Sequence, residues 1–210
     1  MLLAGLFCWI ATCPEYARGS PEAKPAKTIV FLGDSLTAGL GLELSQAYPA
    51  LVEGKVEALG LPFQVVNAGL SGDTTAGGLR RIDWLLRRPI DVLVIALGGN
   101  DGLRGVSPEA TRSNLQGIID KAKARQPGVK ILVAGMQMPP NMGEDYASRF
   151  RGVFPAVAET NHAALIPFLL AGVGGVPELN QPDKIHPTAE GQKKLAENVW
   201  AVLLPVLRRD

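Results

Sequence analysis

The chain has 210 residues, 47% of them hydrophobic, with 21 lysines and arginines against 20 aspartates and glutamates. A chain of this length buries enough apolar surface to form one domain around a single core. The formal net charge is +1 and no basic stretch with interleaved aromatic residues occurs, so we expect no nucleic-acid partner.

The first predicted element is an apolar segment at the N-terminus. Residues Leu2 to Thr12 carry no charge. They are too few to cross a bilayer as a helix, but their number suits the hydrophobic region of an export signal. We therefore expect the protein to be exported, to the periplasm of a bacterium. If the segment is instead a disordered or interfacial tail, the protein would be cytoplasmic.

The end of this segment also predicts a membrane attachment. Ile10 to Cys13 resembles the motif at which bacterial lipoproteins are lipidated, although the residue before the cysteine is a threonine. Attachment through a lipid on Cys13 is therefore a second interpretation. Glu15 to Lys27 is typical of a linker, because it contains proline, glycine, serine and charged residues. We expect residues 1–27 to precede one folded domain over residues 28–210.

Apolar runs alternate with helical patterns through this domain. The predicted strands are Thr28–Leu32, Phe63–Asn67, Asp91–Leu97, Lys130–Ala134 and Ala164–Pro167. The predicted helices lie near Ala47–Leu59, Thr75–Arg88, Pro108–Gln126, Asp145–Asn161 and Thr188–Leu207. Continuously apolar strands and strand–helix alternation predict a three-layer α/β sandwich. Its five-stranded parallel sheet would be flanked by helices in a flavodoxin-like order.

Clusters of small and polar residues follow the predicted strands. Gly33 to Leu36 follow the first strand, Asn67 to Asp73 the second, and Gly98 to Asp101 the third. A fourth cluster, Asp183 to His186, lies between the last strand and the last helix. Ligands of such sheets bind beyond the carboxyl ends of the strands. We therefore expect the four clusters to meet at one rim.

The serine of the first cluster is a candidate nucleophile. A strand runs into the turn at Gly33, and Ser35 stands where the next helix begins. The first N–H groups of a helix have no internal partner and carry partial positive charge, so they can stabilise an oxyanion. A serine hydroxyl is a weak nucleophile until a base takes its proton.

The fourth cluster supplies a candidate base. The sequence has two histidines, and His162 is predicted to be a surface or capping residue at a helix end. Histidine side chains ordinarily titrate near neutrality, so His186 is a residue type that can accept a proton and later return it. Asp183 can bond the other ring nitrogen and set the tautomer.

Together the four clusters resemble the four blocks of the SGNH (GDSL) hydrolase superfamily. Within it, the chain resembles bacterial arylesterases and the periplasmic group of acyl-CoA thioesterase I and lysophospholipase L1. The similarity covers about Thr28 to Leu207 and includes further residues outside the blocks, namely Tyr146, Phe150, Phe154-Pro155 and Pro167-Phe168-Leu169.

This resemblance implies a serine hydrolase that cleaves carboxylic esters, and also thioesters or lysophospholipids, through an acyl-enzyme. It implies that Ser35 is the nucleophile, His186 the base and Asp183 the acid of a triad. The backbone N–H of Ser35, together with Gly72 and the side chain of Asn100, would then form the oxyanion hole. Taken singly, Gly72 also fits an ordinary turn, and Asn100 a turn or helix cap.

Three aspartates, Asp34, Asp73 and Asp101, stand beside these residues and raise the question of a metal. We interpret them as residues that brace turns, because Asp bonds nearby backbone and a serine mechanism needs no metal. We therefore expect no cofactor.

A methionine-rich loop follows the fourth predicted strand. Methionine adapts to varied apolar shapes. Met136, Met138 and Met142 are therefore candidates to line a site for the acyl or aryl group of a small-molecule ester or thioester, with ordinary loop and core packing as the alternative.

The motifs of the sequence bear on three other functions. A non-catalytic flavodoxin-like binding protein would cradle phosphate, but no G-x-x-x-x-G-K-[ST] or G-x-G-x-x-G motif follows a strand. An enzyme of the α/β-hydrolase type would carry G-x-S-x-G, which is absent. A carbohydrate acetylesterase of the same superfamily stays open as an alternative.

Overall fold

The computed structural model describes residues 27–208 and contains one five-stranded sheet. All neighbouring strands are parallel and their order is β2-β1-β3-β4-β5. The strands are β1 (Lys27–Gly33), β2 (Phe63–Gly69), β3 (Val92–Ala96), β4 (Lys130–Ala134) and β5 (Ala164–Ile166). The predicted α/β class and flavodoxin-like order are confirmed.

Helices cover both faces of the sheet. They are α1 (Ser35–Ala38), α2 (Tyr48–Ala58), α3 (Thr75–Leu85), α4 (Gly99–Leu103), α5 (Pro108–Arg125), α6 (Glu144–Asn161) and α7 (Ala189–Leu207). Short 3₁₀ turns occur at Leu44–Gln46, Pro140–Met142 and Pro177–Leu179. Helix α3 packs on α5 and α5 on α6 along one face, whereas α2 packs on α7 on the other.

The core lies between the central strands and these helices. Every residue of β3 is buried, as its continuous apolar run predicted. On β1, the ring of Phe31 meets the ring of Tyr48 edge to face at 5.5 Å. Burial of large aromatic side chains is a main source of stability in a domain of this size.

The central strands end at the same level. Gly33 of β1 is in register with Gly69 of β2 and with Ala96 of β3. The loops that follow these strands therefore start side by side at the carboxyl edge of the sheet. None of the helices within residues 27–208 combines the length and apolar character that a membrane-spanning helix needs.

The structure differs from the prediction mainly at short elements. Helices α1 and α4 have four and five residues, too few to show an apolar period in the sequence. Helix α3 ends at Leu85 rather than at Arg88, in keeping with the disfavoured helical conformation of a residue before proline, here Pro89. The predicted N-terminal segment and most of its linker lie outside the described residues.

Candidate active site

Ser35 is the first residue of α1 and lies at the carboxyl edge of the sheet. The side chain of Asp34 caps this helix, since its Oδ1 accepts a hydrogen bond from the Leu36 N–H at 3.0 Å. The helix ends after four residues at Gly39, whose φ of 75° is left-handed. This tight strand–turn–helix geometry presents the Ser35 hydroxyl to a cleft.

Side chains from three other elements hold α1 in place. The Thr37 hydroxyl is 2.8 Å from the buried hydroxyl of Tyr48. Gln192 of α7 donates to the Leu36 carbonyl at 3.1 Å and accepts from the Tyr48 N–H at 2.9 Å. Asn67 donates to the Thr37 carbonyl at 2.8 Å. Burial raises the pKa of Tyr48, so its phenol stays neutral.

His186 connects the serine to an aspartate, as the sequence predicted. Its Nε2 is 2.9 Å from the Ser35 Oγ, and its Nδ1 is 2.6 Å from the Asp183 Oδ2. With Nδ1 protonated toward the carboxylate, Nε2 carries the lone pair that can accept the serine proton. The three side chains therefore form a continuous hydrogen-bonded chain from hydroxyl to imidazole to carboxylate.

Asp183 also shapes the turn that carries the histidine. Its Oδ1 accepts hydrogen bonds from the backbone N–H of Ile185 at 2.9 Å and of His186 at 3.0 Å. These bonds, first of all the one from the His186 N–H, and the bond to the imidazole lower the pKa of Asp183 to about 2. The carboxylate is therefore charged at neutral pH. Between Asp183 and Ile185, Lys184 adopts a left-handed φ of 62°.

Gln181 fastens this turn to the segment that follows the serine helix. Its Nε2 donates to the Leu40 carbonyl at 2.7 Å and to the Pro187 carbonyl at 3.0 Å. Sequence reasoning does not find Gln181 or Gln192, because the bonds of Gln181 to Leu40 and of Gln192 to Leu36 and Tyr48 join residues more than 140 positions apart. His162 caps the C-terminus of α6, as predicted, and is exposed.

Asn100 lies beside the serine on α4. Its Nδ2 donates to the Asp73 carbonyl at 2.9 Å and is 3.4 Å from the Asp34 Oδ2. Asn100 and Ser35 both line the cleft. Gly72 is exposed in a turn with a φ of 79°, its carbonyl accepts a bond from Arg104, and it does not line the cleft.

The three aspartates next to these residues each have protein partners. Asp34 caps α1, and Asp101 accepts hydrogen bonds from the N–H and hydroxyl of Thr75. Asp73 pairs with Arg81 at 2.7 Å, and Arg81 also donates to the Gly33 carbonyl at 3.0 Å. Arg81 thereby joins the loop after β2 to the end of β1.

The cleft above Ser35 has a volume of about 550 Å³ and is lined mainly by apolar side chains. The apolar lining residues are Leu36, Leu103, Met136, Met138, Pro139, Phe168, Leu170 and Ile185. Met142 is not among them, because it belongs to the 3₁₀ turn that follows the cleft-lining part of the loop. The structure thus brings two of the three predicted methionines to the site.

Asp34 has the environment opposite to that of Asp183. It is 1% exposed, and burial raises its pKa from 3.8 to about 6. A native pKa above the unfolded value means that the native state binds the proton more tightly. Ionisation of Asp34 therefore lowers the unfolding free energy as pH rises from about 4 to about 6. Above that range the loss has reached its full size.

We predict that Asp34→Asn removes this pH dependence while it keeps an oxygen acceptor for the Leu36 N–H. Relative to wild type, the variant should gain about 3 kcal/mol of unfolding free energy between pH 4 and pH 7. Urea unfolding at several pH values measures the difference. If the difference in unfolding free energy between variant and wild type stays constant from pH 4 to pH 7, Asp34 has the same pKa in the folded and unfolded chains.

Comparisons with known proteins agree with this geometry. Residues 31–194 match the GDSL-like Lipase/Acylhydrolase family. The chain is 47% identical to esterase TesA of Pseudomonas aeruginosa, over 87% of this chain and 90% of that protein. It is 37% identical to thioesterase 1/protease 1/lysophospholipase L1 of Escherichia coli, over 90% of this chain and 89% of that protein.

A solved structure shows the same fold. A crystal structure of TesA superposes with a TM-score of 0.82 at 46% identity, covering 85% of this chain and 99% of that one. The family match and these relatives span nearly all of the described residues. The chain therefore belongs to the GDSL-like lipase/acylhydrolase family and is a serine ester hydrolase.

Proposed function

We propose that Ser35, His186 and Asp183 form the catalytic triad of this ester hydrolase. The observation that carries the proposal is the alignment of the Ser35 hydroxyl, both nitrogens of the His186 ring and the Asp183 carboxylate by bonds of 2.9 and 2.6 Å. A protein that merely bound a ligand in the same cleft would not need this relay.

The geometry supports a two-step reaction. The Ser35 Oγ attacks the ester carbonyl carbon while its proton passes to the His186 Nε2. The tetrahedral intermediate collapses, and the leaving alcohol or thiol takes that proton. Water then attacks the acyl-enzyme with His186 again as base, which releases the acid and restores the serine. Asp183 stays charged and stabilises the imidazolium.

Donors at the helix start stabilise the oxyanion in this proposal. The Ser35 backbone N–H is free of intrahelical partners. One Asn100 amide proton makes only the long 3.4 Å contact with Asp34 Oδ2 and can turn to the oxyanion. The other amide proton is held by the Asp73 carbonyl at 2.9 Å, which fixes the orientation of the amide. Gly72 is the third donor in this proposal, and its N–H would have to approach the substrate from the edge of the cleft.

The substrates we propose are small carboxylic esters and thioesters with short to medium acyl or aryl groups. Apolar residues dominate the cleft, and a volume of about 550 Å³ is within the usual range for a small-molecule site. The names esterase, arylesterase and thioesterase among the relatives support this class. A carbohydrate acetylesterase would need polar groups for sugar hydroxyls, and away from Ser35, His186, Asp34 and Asn100 the lining offers three: Gln137, Asn180 and Lys184.

We also propose that the protein is exported and held at a membrane through its N-terminal segment. The support is the uncharged run Leu2–Thr12, together with Cys13 at its end. A bacterial periplasm is the compartment that fits these features best.

Ser35→Ala should abolish ester hydrolysis without loss of stability, because a serine at the rim contributes little to packing. A fluorophosphonate should label the wild-type protein with one equivalent and leave the variant unlabelled. Mass spectrometry of the intact protein and p-nitrophenyl acetate turnover measure both. Labelling of the variant at another residue would remove Ser35 as the nucleophile.

Asp183→Asn should lower kcat by about 10⁴ with an intact fold. The amide oxygen can still accept from the Ile185 and His186 N–H groups, but its NH₂ would donate to Nδ1 and force the proton onto Nε2. Nε2 could then no longer take the serine proton. Steady-state kinetics and thermal unfolding measure the two effects, and near-normal kcat would reduce the site to a Ser35–His186 dyad.

Met138→Ala should raise KM for p-nitrophenyl octanoate several-fold and leave p-nitrophenyl acetate almost unchanged, because it removes apolar lining from the cleft. Met142→Ala is the matched control, since the same residue type lies outside the cleft. A panel from acetate to palmitate gives the chain-length profile of each variant. Equal effects of the two substitutions would place the acyl group elsewhere.

A further inference from the structure

Three arginines line a shallow cleft at the edge of the sheet opposite the active site, where the strands begin. Arg87 and Arg88 follow the end of α3, and Arg125 lies in the last turn of α5. The cleft has a volume of about 440 Å³, and all three side chains are exposed. We call it the arginine cleft.

The positive charge of this cleft is not compensated within the fold. Among the described residues, none of the three guanidinium groups makes an ion pair or a hydrogen bond, whereas Arg81 and Arg149 pair with carboxylates. One acidic residue, Asp91, lines the arginine cleft. The lining therefore carries three positive charges against one negative charge.

Hydrogen bonds hold the two walls of the cleft together. Gln126 accepts from the Ile90 N–H at 2.7 Å and donates to the Arg88 carbonyl at 2.7 Å. The loop after α3 is thereby fixed to the end of α5. Arg87 and Arg88 of that loop and Arg125 of α5 therefore present one surface.

The arginine cleft adjoins the point where the N-terminal segment joins the fold. Thr28 donates to the Asp91 Oδ2 at 2.7 Å, and the Asp91 N–H donates to the Thr28 carbonyl at 2.9 Å. The start of β1, where the described residues begin, therefore lies directly beside the cleft. The linker Glu15–Lys27, at about 3.5 Å per residue, can span at most roughly 45 Å.

We infer that the arginine cleft docks on the anionic headgroups of a phospholipid surface. A single weak apolar anchor binds membranes only marginally, and a polybasic patch supplies the usual second contribution. Guanidinium groups suit phosphate, because they can form two parallel hydrogen bonds with it. This inference rests on the proposed membrane attachment for its orientation, and it places the catalytic rim away from the bilayer.

Cations near a helix C-terminus also interact favourably with the helix dipole, and Arg125 occupies such a position. This interaction with the helix dipole affects folding stability and does not depend on lipid composition. Vesicle binding is therefore the measurement that separates a docking surface from helix stabilisation.

The test uses the full chain and a matched pair of triple variants. Arg87→Gln, Arg88→Gln and Arg125→Gln remove the arginine cleft's charges. Arg80→Gln, Arg112→Gln and Arg151→Gln remove three exposed arginines that also lack partners within residues 27–208, on the outer faces of α3, α5 and α6. Sedimentation with phosphatidylcholine vesicles, with and without phosphatidylglycerol, gives the partition coefficients.

We expect wild type to prefer the phosphatidylglycerol vesicles and the cleft variant to lose roughly 100-fold in partitioning to them. The control variant should lose far less, and salt should weaken the wild-type preference. Both variants should hydrolyse p-nitrophenyl acetate normally. Binding to neutral vesicles reports the N-terminal segment alone, so its absence would refute the attachment proposed above but leave the arginine cleft supported.

Four results would overturn the inference. Equal losses in the two triple variants would reduce it to a general effect of net charge. No preference for phosphatidylglycerol would exclude anionic headgroups. Displacement of wild type from the vesicles by inorganic phosphate, but not by chloride of equal ionic strength, would indicate a site for free phosphate. Leu44 and Leu70 are exposed leucines in the segments that follow α1 and β2, near the catalytic rim. Loss of binding in Leu44→Ser with Leu70→Ser, but not in the cleft variant, would show that the catalytic rim faces the membrane.

Discussion

Ser35 stands on a helix of four residues, which is too short to be stable by itself. Its position therefore depends on hydrogen bonds that other parts of the chain supply. Gln192 and Asn67 bond the carbonyls of Leu36 and Thr37, and the Asp34 side chain caps the helix start. Because these bonds come from α7, β2 and the end of β1, Ser35, the proposed nucleophile, is placed only when the whole sandwich is assembled.

Two aspartates of the site show how environment sets the charge of one residue type. Asp183 accepts three hydrogen bonds and stays ionised, while burial keeps Asp34 nearer to its neutral form. The charged carboxylate lies behind the histidine, where positive charge develops during the reaction. The Asp34 carboxyl, which ionises only near pH 6 because it is buried, lies 3.4 Å from the Asn100 amide.

The sequence predicted what depends on local pattern. Continuous apolar runs indicated β1 and β3 as buried strands, and the clusters that follow the strands indicated where the site would form. The bonds of Gln181 and Gln192 could not be predicted, because a buried or bridging glutamine has no local pattern. The position of Gly72 outside the cleft could not be predicted either, although the carbonyl of its neighbour Asp73 accepts a hydrogen bond from the Asn100 amide.

The two edges of the sheet carry different chemistry for a reason that lies in the fold itself. Parallel strands place the starts of most helices at the carboxyl edge and the ends at the other. The positive end of the helix dipole at a helix start stabilises an oxyanion, whereas the negative end interacts favourably with arginines such as Arg125. A parallel sandwich therefore separates a reaction that develops negative charge from a cationic surface, and the chain enters this sandwich at its cationic edge, at Lys27.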